Sequence, residues 1–368
     1  MGDPHRVGIV GLGVISRQYL DLFAGHPAVT IAAVADLDEA RSAAVAAGLP
    51  GTRALPVGDL LAAADVQTVL NLTIPAAHAE IARGAIRHGK HVYGEKPLAA
   101  GFPEAHAVLA AATAAGLSLG CAPDTVLGTG IQTARAAIDG GLIGRPLSAS
   151  AVMVTPGHER WHPNPDFYYQ PGGGPVLDMG PYYVSALVQL LGPVRAVTGA
   201  AARPRAERII GSGPRAGERI PVEVQSHVSG VLEHEGGLLS TLTMSFDGVR
   251  TTAAPIEVHG ETGSLAAPDP NRFDGEVQIF DLDHDRWRPL EPSAGYADAG
   301  RGIGLLDQMF AGPGQPPRAG GGLALHVLEA LTALLTSAAE GRRIELTTTA
   351  ERPPAVPLTP AVVWRAFR

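Results

Sequence analysis

A short apolar run, Arg6–Val10, ends in Gly11-Leu12-Gly13 and passes at once into an amphipathic segment reaching Leu22 and Phe23. Strand, tight glycine turn and helix in that order open a βαβ unit. The glycines let backbone approach a pyrophosphate seated on the helix N-terminus. Gly11, Gly13, Val14 and Ile15 are therefore candidate dinucleotide contacts. The third small position of the motif is Ser16, which still permits close helix–strand packing. Glycine turns before helices also occur for packing alone, so the motif by itself does not decide.

The second strand, Thr30–Ala35, ends in Asp36. An acid there accepts hydrogen bonds from the adenosine ribose and repels a 2′-phosphate, which favours NAD over NADP. A plain helix cap is the other reading, since Asp36 and Asp38 precede the segment Glu39–Ala47. The pattern then repeats. Val66–Leu72 reads as a buried strand, His78–Arg87 as a helix, His91–Gly94 as a strand, and Ser118–Cys121 as a strand after another helix. Such alternation predicts an α/β fold with a doubly wound parallel sheet over residues 1–123.

Lys96 lies just past the strand His91–Gly94, in Glu95-Lys96-Pro97. Lys90 and Lys96 are the only lysines in the chain; Arg supplies every other fixed positive charge. Lys differs from Arg most where a compact or titrating amine is needed, and strand ends of open α/β sheets are where ligands bind. Lys96 is a catalytic candidate on both grounds, while Lys90 sits in a polar turn and reads as surface.

Residues 124–368 read differently. After a helix over Asp124–Gly141 come strand-like segments at Ser148–Thr155, Val194–Ala201, Val222–Glu233, Gly237–Phe246, Pro255–His259, Gly263–Ala267 and Val277–Leu282. Glu235-Gly236-Gly237 and Glu261-Thr262-Gly263 are hairpin turns. An α+β domain with a large, mostly antiparallel open sheet is expected, closed by a helix over Leu323–Glu340. Arg203–Arg219 is a polar, arginine-bearing loop without a readable role. His158-Glu159-Arg160-Trp161-His162 fits the zinc-protease pattern H-E-x-x-H, which works only on a helix. Pro156-Gly157 before it and Pro163-Asn164-Pro165 after it leave no room for one, so no metal is expected. The loop reads better as an aromatic wall over a polyol. Trp161 and Tyr169 offer ring faces, and His162 and Asp166 offer hydrogen bonds. A loop merely plugging the domain junction is the alternative.

Gly8-Ile9-Val10-Gly11-Leu12-Gly13, Thr73-x-Pro75-x-x-His78 and Glu95-Lys96-Pro97 together resemble the Gfo/Idh/MocA family, the glucose–fructose oxidoreductase and inositol dehydrogenase relatives. The resemblance implies a Rossmann domain that holds NAD with Asn71, Thr73, Pro75, His78, Glu95, Lys96 and Pro97 beside the glycine turn, and a cis bond before Pro97. It implies that Lys96 faces the reacting hydroxyl or carbonyl. Gly172-Gly173-Gly174-x-x-x-Asp178-x-Gly180-x-Tyr182 matches the family's G-G-G-x-x-x-D-x-G-x-H, so Asp178 is carried over as catalytic and substrate-binding. Tyr182 stands where the family has His. It is the expected proton exchanger, with Asp178 orienting the substrate and Lys96. The implied activity is transfer of a hydride between nicotinamide and a secondary alcohol of a sugar, sugar acid or cyclitol. A permanently held NAD serving sugar-to-sugar shuttling and a silent dinucleotide-binding regulator are the alternatives. Self-association as a homodimer or homotetramer through the second-domain sheet is also implied.

Composition agrees with this class. A chain of 368 residues, 45% hydrophobic and 17% charged, is expected to form two globular domains. A net charge of -8 without any Lys/Arg run argues against a nucleic-acid surface. Neither the N-terminus nor the Ala-rich stretch Ala105–Ala122 reads as a leader or membrane span, and the lone Cys121 suits a reducing compartment. A cytoplasmic location is the expectation.

Overall fold

The computed structural model describes residues 3–311 and 315–367. Two compact units emerge: Met1–Gly128 with Gly295–Leu325 and Val356–Arg368, and Thr129–Ala294 with His326–Ala355.

In the first unit β1 (His5–Val10), β2 (Val29–Ala35), β3 (Arg53–Ala54), β4 (Thr68–Asn71), β5 (His91–Gly94) and β6 (Leu119–Cys121) form one sheet. Its order is β3-β2-β1-β4-β5-β6, and neighbours run parallel. The connections are α1 (Ser16–Phe23), α2 (Glu39–Ala47), α3 (Val57–Ala62), α4 (Pro75–Arg87) and α5 (Phe102–Ala114). Val7, Ile9, Ala32, Val34, Val69 and Leu70 are fully buried, as parallel strands covered on both faces require. Helix α1 shows why it forms here. Ser16, Tyr19, Leu22 and Phe23 face inward at helical spacing, while Arg17, Gln18 and Asp21 face solvent. Strand order reverses between β1 and β4, which marks the carboxyl ends of those strands as the ligand crevice.

This unit is larger than the expected 1–123, because two later segments return to it. The helix Ile303–Phe310 buries Ile303, Leu305 and Leu306, and the N–H groups of Gly302 and Gly304 donate to Asp124 Oδ2 at 2.8 and 3.1 Å. Cys121 N–H donates to Ala319 O at 2.9 Å, so the segment also occupies the open edge of β6. Trp364 is fully buried and its indole N–H donates to Ala297 O at 2.8 Å. A parallel sheet with one bare edge needs such a cover. The expected 124–368 domain therefore loses 295–325 and 356–368, and its first helix starts at Thr129.

The second unit contains α6 (Thr129–Asp139), β7 (Pro146–Val154), α7 (Gly174–Leu191), β8 (Val194–Ala202), β9 (Glu207–Ile209), β10 (Arg219–Pro221), β11 (His227–His234), β12 (Leu239–Ser245), β13 (Ile256–Gly260), β14 (Gly263–Ala267), β15 (Val277–Asp281), β16 (Arg286–Leu290) and β17 (Ile344–Glu345). Nine of these strands form a mixed sheet in the order β16-β15-β14-β13-β7-β12-β11-β8-β17. Only the β7–β12 pair is parallel among the described ladders of this sheet. Helix α7 packs on β7, β11 and β12. The helix Gly321–Glu340 is long and apolar enough to cross a membrane by length and composition, and 61% of its apolar window is buried inside the protein. Its Leu331 lies against Gly180 of α7, and Leu334 against Gly199 and Gly230 of β8 and β11, where a Cβ would sit within 3 Å of the leucine side chain. Core packing accounts for its composition. The expected strand from Val222 begins only at His227, and the unread loop Arg203–Arg219 carries the β9–β10 hairpin.

Candidate active site

In the first unit the candidate residues gather at the carboxyl ends of β1, β2, β4 and β5. Gly11 has φ +94°, and a Cβ on it would lie 2.6 Å from the carbonyl carbon of Leu72. Only glycine fits there. Gly13 differs: a Cβ on it would meet nothing within 4 Å. Neither its dihedral nor its packing within the described chain demands glycine, and the space over its backbone is open. Val14 beside it is 95% exposed, and Ile15 caps α1 without any side-chain hydrogen bond. The cap residue of α1 thus offers no side-chain acceptor, and Ser16 and Gln18 N–H donate to the carbonyls of Gly13 and Ile15, both at 3.1 Å. Ser16 turns its hydroxyl back to Gly13 O at 2.7 Å, so the third motif position is filled without crowding.

Asp36 Oδ2 accepts from Leu12 N–H at 2.7 Å and Oδ1 from Asp38 N–H at 2.9 Å. Burial alone would raise its pKa. The two backbone N–H groups and the Arg41 guanidinium, 3.2 Å away, overcome that and hold it below the ordinary carboxylate value. Asp36 is not the cap of α2; Asp38 is, accepting from Arg41 N–H at 3.0 Å. Arg41 carries a second meaning, since an arginine beside this acid can receive a 2′-phosphate. The sequence reading missed it because an arginine one turn into a helix looks like an ordinary solvated charge.

Asn71, Thr73, Pro75 and His78 form a bracket. Asn71 Oδ1 accepts from Thr73 Oγ1 at 2.7 Å, and its Nδ2 donates to His78 O at 3.0 Å. Pro75 is the first residue of α4, where its missing N–H costs nothing. The buried His78 ring lies 2.6 Å from Pro97 O and 2.9 Å from Thr73 O. It clamps the loop after β4 to the turn after β5. That turn contains a cis Lys96–Pro97 bond. Glu95 points inward, accepting from Tyr19 Oη at 2.8 Å and from Lys96 N–H at 3.1 Å. Lys96 itself is half-buried. Beneath this turn Asp124 is fully buried, and burial pushes its carboxyl up to about 6, with Arg301 and the N–H groups of Gly304 and Gly302 pulling the other way.

In the second unit the candidates divide. Asp178 lies on α7 with its side chain 20% exposed, and Tyr182, one turn later, is buried at 4%. Residues four apart share a helix face. His158 Nε2 stands 3.1 Å from Asp178 Oδ2. The loop carrying it closes tightly on the start of α7, because a Cβ on Gly173 would lie 2.3 Å from Phe167 O. Trp161 is 59% exposed and packs near His158 and His162 at 5.3 and 5.5 Å between centroids, so the rings of this loop cluster together. His162 Nδ1 accepts from Asn164 N–H at 3.1 Å.

Two expected substrate contacts are occupied inside the protein. Tyr169 is fully buried and donates its hydroxyl to Glu159, so burial and that carboxylate raise its pKa. Asp166 receives two hydrogen bonds from Arg215, at 2.6 and 3.1 Å, which hold its carboxyl below the ordinary value. These are the tasks of the arginine loop. Arg208, with a side chain 1% exposed, bonds Glu159, Asp247 and Phe246 O, and Arg215 takes Asp166. Only His158–Arg160 of the H-E-x-x-H run form a 3₁₀ turn, His162 lies beyond it, and the side chains go to separate partners: His158 to Asp178, Glu159 to Arg208 and Tyr169, His162 to Asn164. Among the described residues no three His, Cys, Asp or Glu side chains are grouped to hold a metal ion.

Residues 5–122 match the oxidoreductase family with the NAD-binding Rossmann fold, and residues 131–266 match the GFO/IDH/MocA C-terminal domain. The chain belongs to the Gfo/Idh/MocA family. Among relatives within it, the dTDP-3,4-didehydro-2,6-dideoxy-alpha-D-glucose 3-reductase of Streptomyces antibioticus is 29% identical, over 84% of this chain and 98% of its own. The 1,5-anhydro-D-fructose reductase of Ensifer adhaerens is 27% identical over 94% and 99%. The fold matches that of levoglucosan dehydrogenase in complex with NADH and levoglucosan, with TM-score 0.78 and 20% identity over 94% of this chain and 100% of that one. This Gfo/Idh/MocA chain therefore pairs an NAD(P)-binding Rossmann sheet with a large, mostly antiparallel second sheet.

Proposed function

We propose that this Gfo/Idh/MocA protein is an NAD(H)-linked oxidoreductase for a secondary alcohol or ketone of a sugar, sugar acid or cyclitol. The observation that carries the reading is the convergence of Gly11–Gly13, Asp36, Thr73 and Lys96 on the carboxyl ends of β1, β2, β4 and β5. The open space at Gly13 and the cap-free start of α1 fit a pyrophosphate, and Asp36 fits a ribose. The nicotinamide, when bound, supplies or takes up the hydride. Lys96 then stabilises the charge that develops on the substrate oxygen, Tyr182 exchanges its proton and Asp178 orients it. Asp36 favours NAD, and Arg41 at 3.2 Å narrows that preference by offsetting part of its charge.

Sugars and deoxysugars in the names of the relatives support this substrate class. The face of the nine-stranded sheet away from α7 is where we place self-association into a homodimer or homotetramer. Light scattering giving a monomer at micromolar concentration would remove that part. The function itself is tested by absorbance of reduced nicotinamide with a panel of inositols, aldoses, anhydrosugars and sugar acids. Turnover with at least one polyol supports the reading, and none with any would sink it.

A further inference from the structure

Helix α7 brings an acid, Asp178, but no imidazole one turn later, where Tyr182 stands. The structure supplies an imidazole from elsewhere. We propose that His158 is a positioning residue for Asp178, so that loop and helix together assemble an imidazole–carboxylate pair at the substrate end of α7. The inference rests on the proposed oxidoreductase function.

Three observations carry it. First, His158 Nε2 is 3.1 Å from Asp178 Oδ2, and the two side chains are only 13% and 20% exposed. A pair so far removed from solvent is screened less than a surface pair, so the contact fixes the carboxylate's rotation. Second, the ring cannot swing away. Tyr168, Phe246 and Trp161 surround it at 4.7, 4.5 and 5.3 Å between centroids. Third, the backbone on either side of His158 is anchored. Gly157 before it holds φ +105°, and Glu159 after it is 4% exposed and gripped by Arg208 and Tyr169. Arg208 also bonds Asp247 at 2.5 Å and Phe246 O at 3.0 Å, which secures the ring's far wall. That is heavy construction for a loop side chain aimed at one carboxylate.

The charged and titratable groups around His158 are Asp178 from α7, the Tyr168 phenol from its own loop, and Glu159 and Asp247, both turned to Arg208. His162 packs edge-on to Tyr168 at 5.5 Å. Asp178 is thus the acid that His158 serves. By holding one oxygen of it, His158 sets the direction from which the carboxylate meets a substrate hydroxyl.

Two variants separate this role from simple packing. His158→Phe keeps a flat ring in the aromatic box and removes the hydrogen bond. His158→Gln keeps a hydrogen-bond donor and removes the ring. NAD affinity should be unchanged in both. His158→Phe should lower kcat by roughly ten- to a hundredfold, the loss expected for a hydrogen bond to a charged group. His158→Gln should recover most of that rate, which a merely space-filling role for the ring would not allow. Nitrogen NMR of the histidine-labelled apoprotein should show one ring responding to Asp178→Asn. An unchanged kcat in His158→Phe, no recovery in His158→Gln, or no ring responding would overturn the inference while NAD-dependent turnover stands. A wild type that turns over no polyol would overturn the oxidoreductase reading and this inference with it.

Discussion

The carboxylate of Asp36 accepts the backbone N–H of Leu12 at 2.7 Å, tying the end of β2 to the middle of the glycine turn after β1. One side chain thereby shapes the glycine turn and, in the proposed function, offers its charge to the ribose of the dinucleotide. Asp36→Ser should narrow the preference for NAD over NADP and lower stability by about 1–2 kcal/mol through the lost charged hydrogen bonds. Arg41→Ala should widen the preference. Calorimetric titration with both dinucleotides checks the pair, and tighter NADP binding by the wild type would contradict the assignment.

Lys96 is one of two lysines in a chain that otherwise uses arginine. Lys96→Arg should be nearly as damaging to kcat as Lys96→Ala, because a guanidinium is planar, larger and always charged. Both variants should keep NAD affinity. Near-normal turnover in Lys96→Arg would mean that any positive charge suffices.

The glycine turn, the parallel strands and Glu95-Lys96-Pro97 are legible in the sequence because they are local: periodicity and turn chemistry sit in consecutive residues. Asp178 and Tyr182 are legible by motif. Tyr169 is misread because an aromatic in a loop reads alike whether it faces a ligand or, as here, Glu159 ten residues earlier in the core. The partner of Asp166, Arg215, lies 49 residues on and is not visible in the local sequence. The return of Gly295–Leu325 to the first unit is invisible for the same reason. Its partners, the edge of β6 and the buried Asp124, lie far off in sequence.

Tyr182 tests the proton step. A phenol has a reference pKa near about 10, so it works as a base only where neighbouring positive charge favours the phenolate. Tyr182→Phe should cost on the order of a hundredfold in kcat and abolish the alkaline rise in oxidation rate, with NAD binding intact. Retention of both rate and profile would assign the proton to another group.

Asp124 makes a stability prediction with a definite sign. Its carboxyl in the folded chain titrates at about 6, above the 3.8 of an unfolded carboxyl. The folded state therefore holds the proton more tightly. This contribution favours folding below about pH 4 and is lost as pH rises through about 6. Asp124→Asn keeps an acceptor for Gly302 and Gly304 and carries no charge. It should be more stable than wild type at pH 8 by on the order of a few kcal/mol, the gap closing toward pH 5. Denaturant unfolding at several pH values measures it; a gap that does not change with pH would contradict the burial argument.

The central claim is that the groups at the carboxyl ends of β1, β2, β4 and β5 hold a nicotinamide dinucleotide for alcohol–ketone chemistry. Its most direct test is one measurement on wild type and Lys96→Ala in parallel: formation of reduced nicotinamide, by absorbance, from NAD and a panel of polyols. The account predicts turnover of at least one polyol by wild type, and loss of at least a hundredfold, roughly, in a Lys96→Ala protein that still binds NAD. Equal turnover in both proteins, or none in wild type with every polyol, would contradict it.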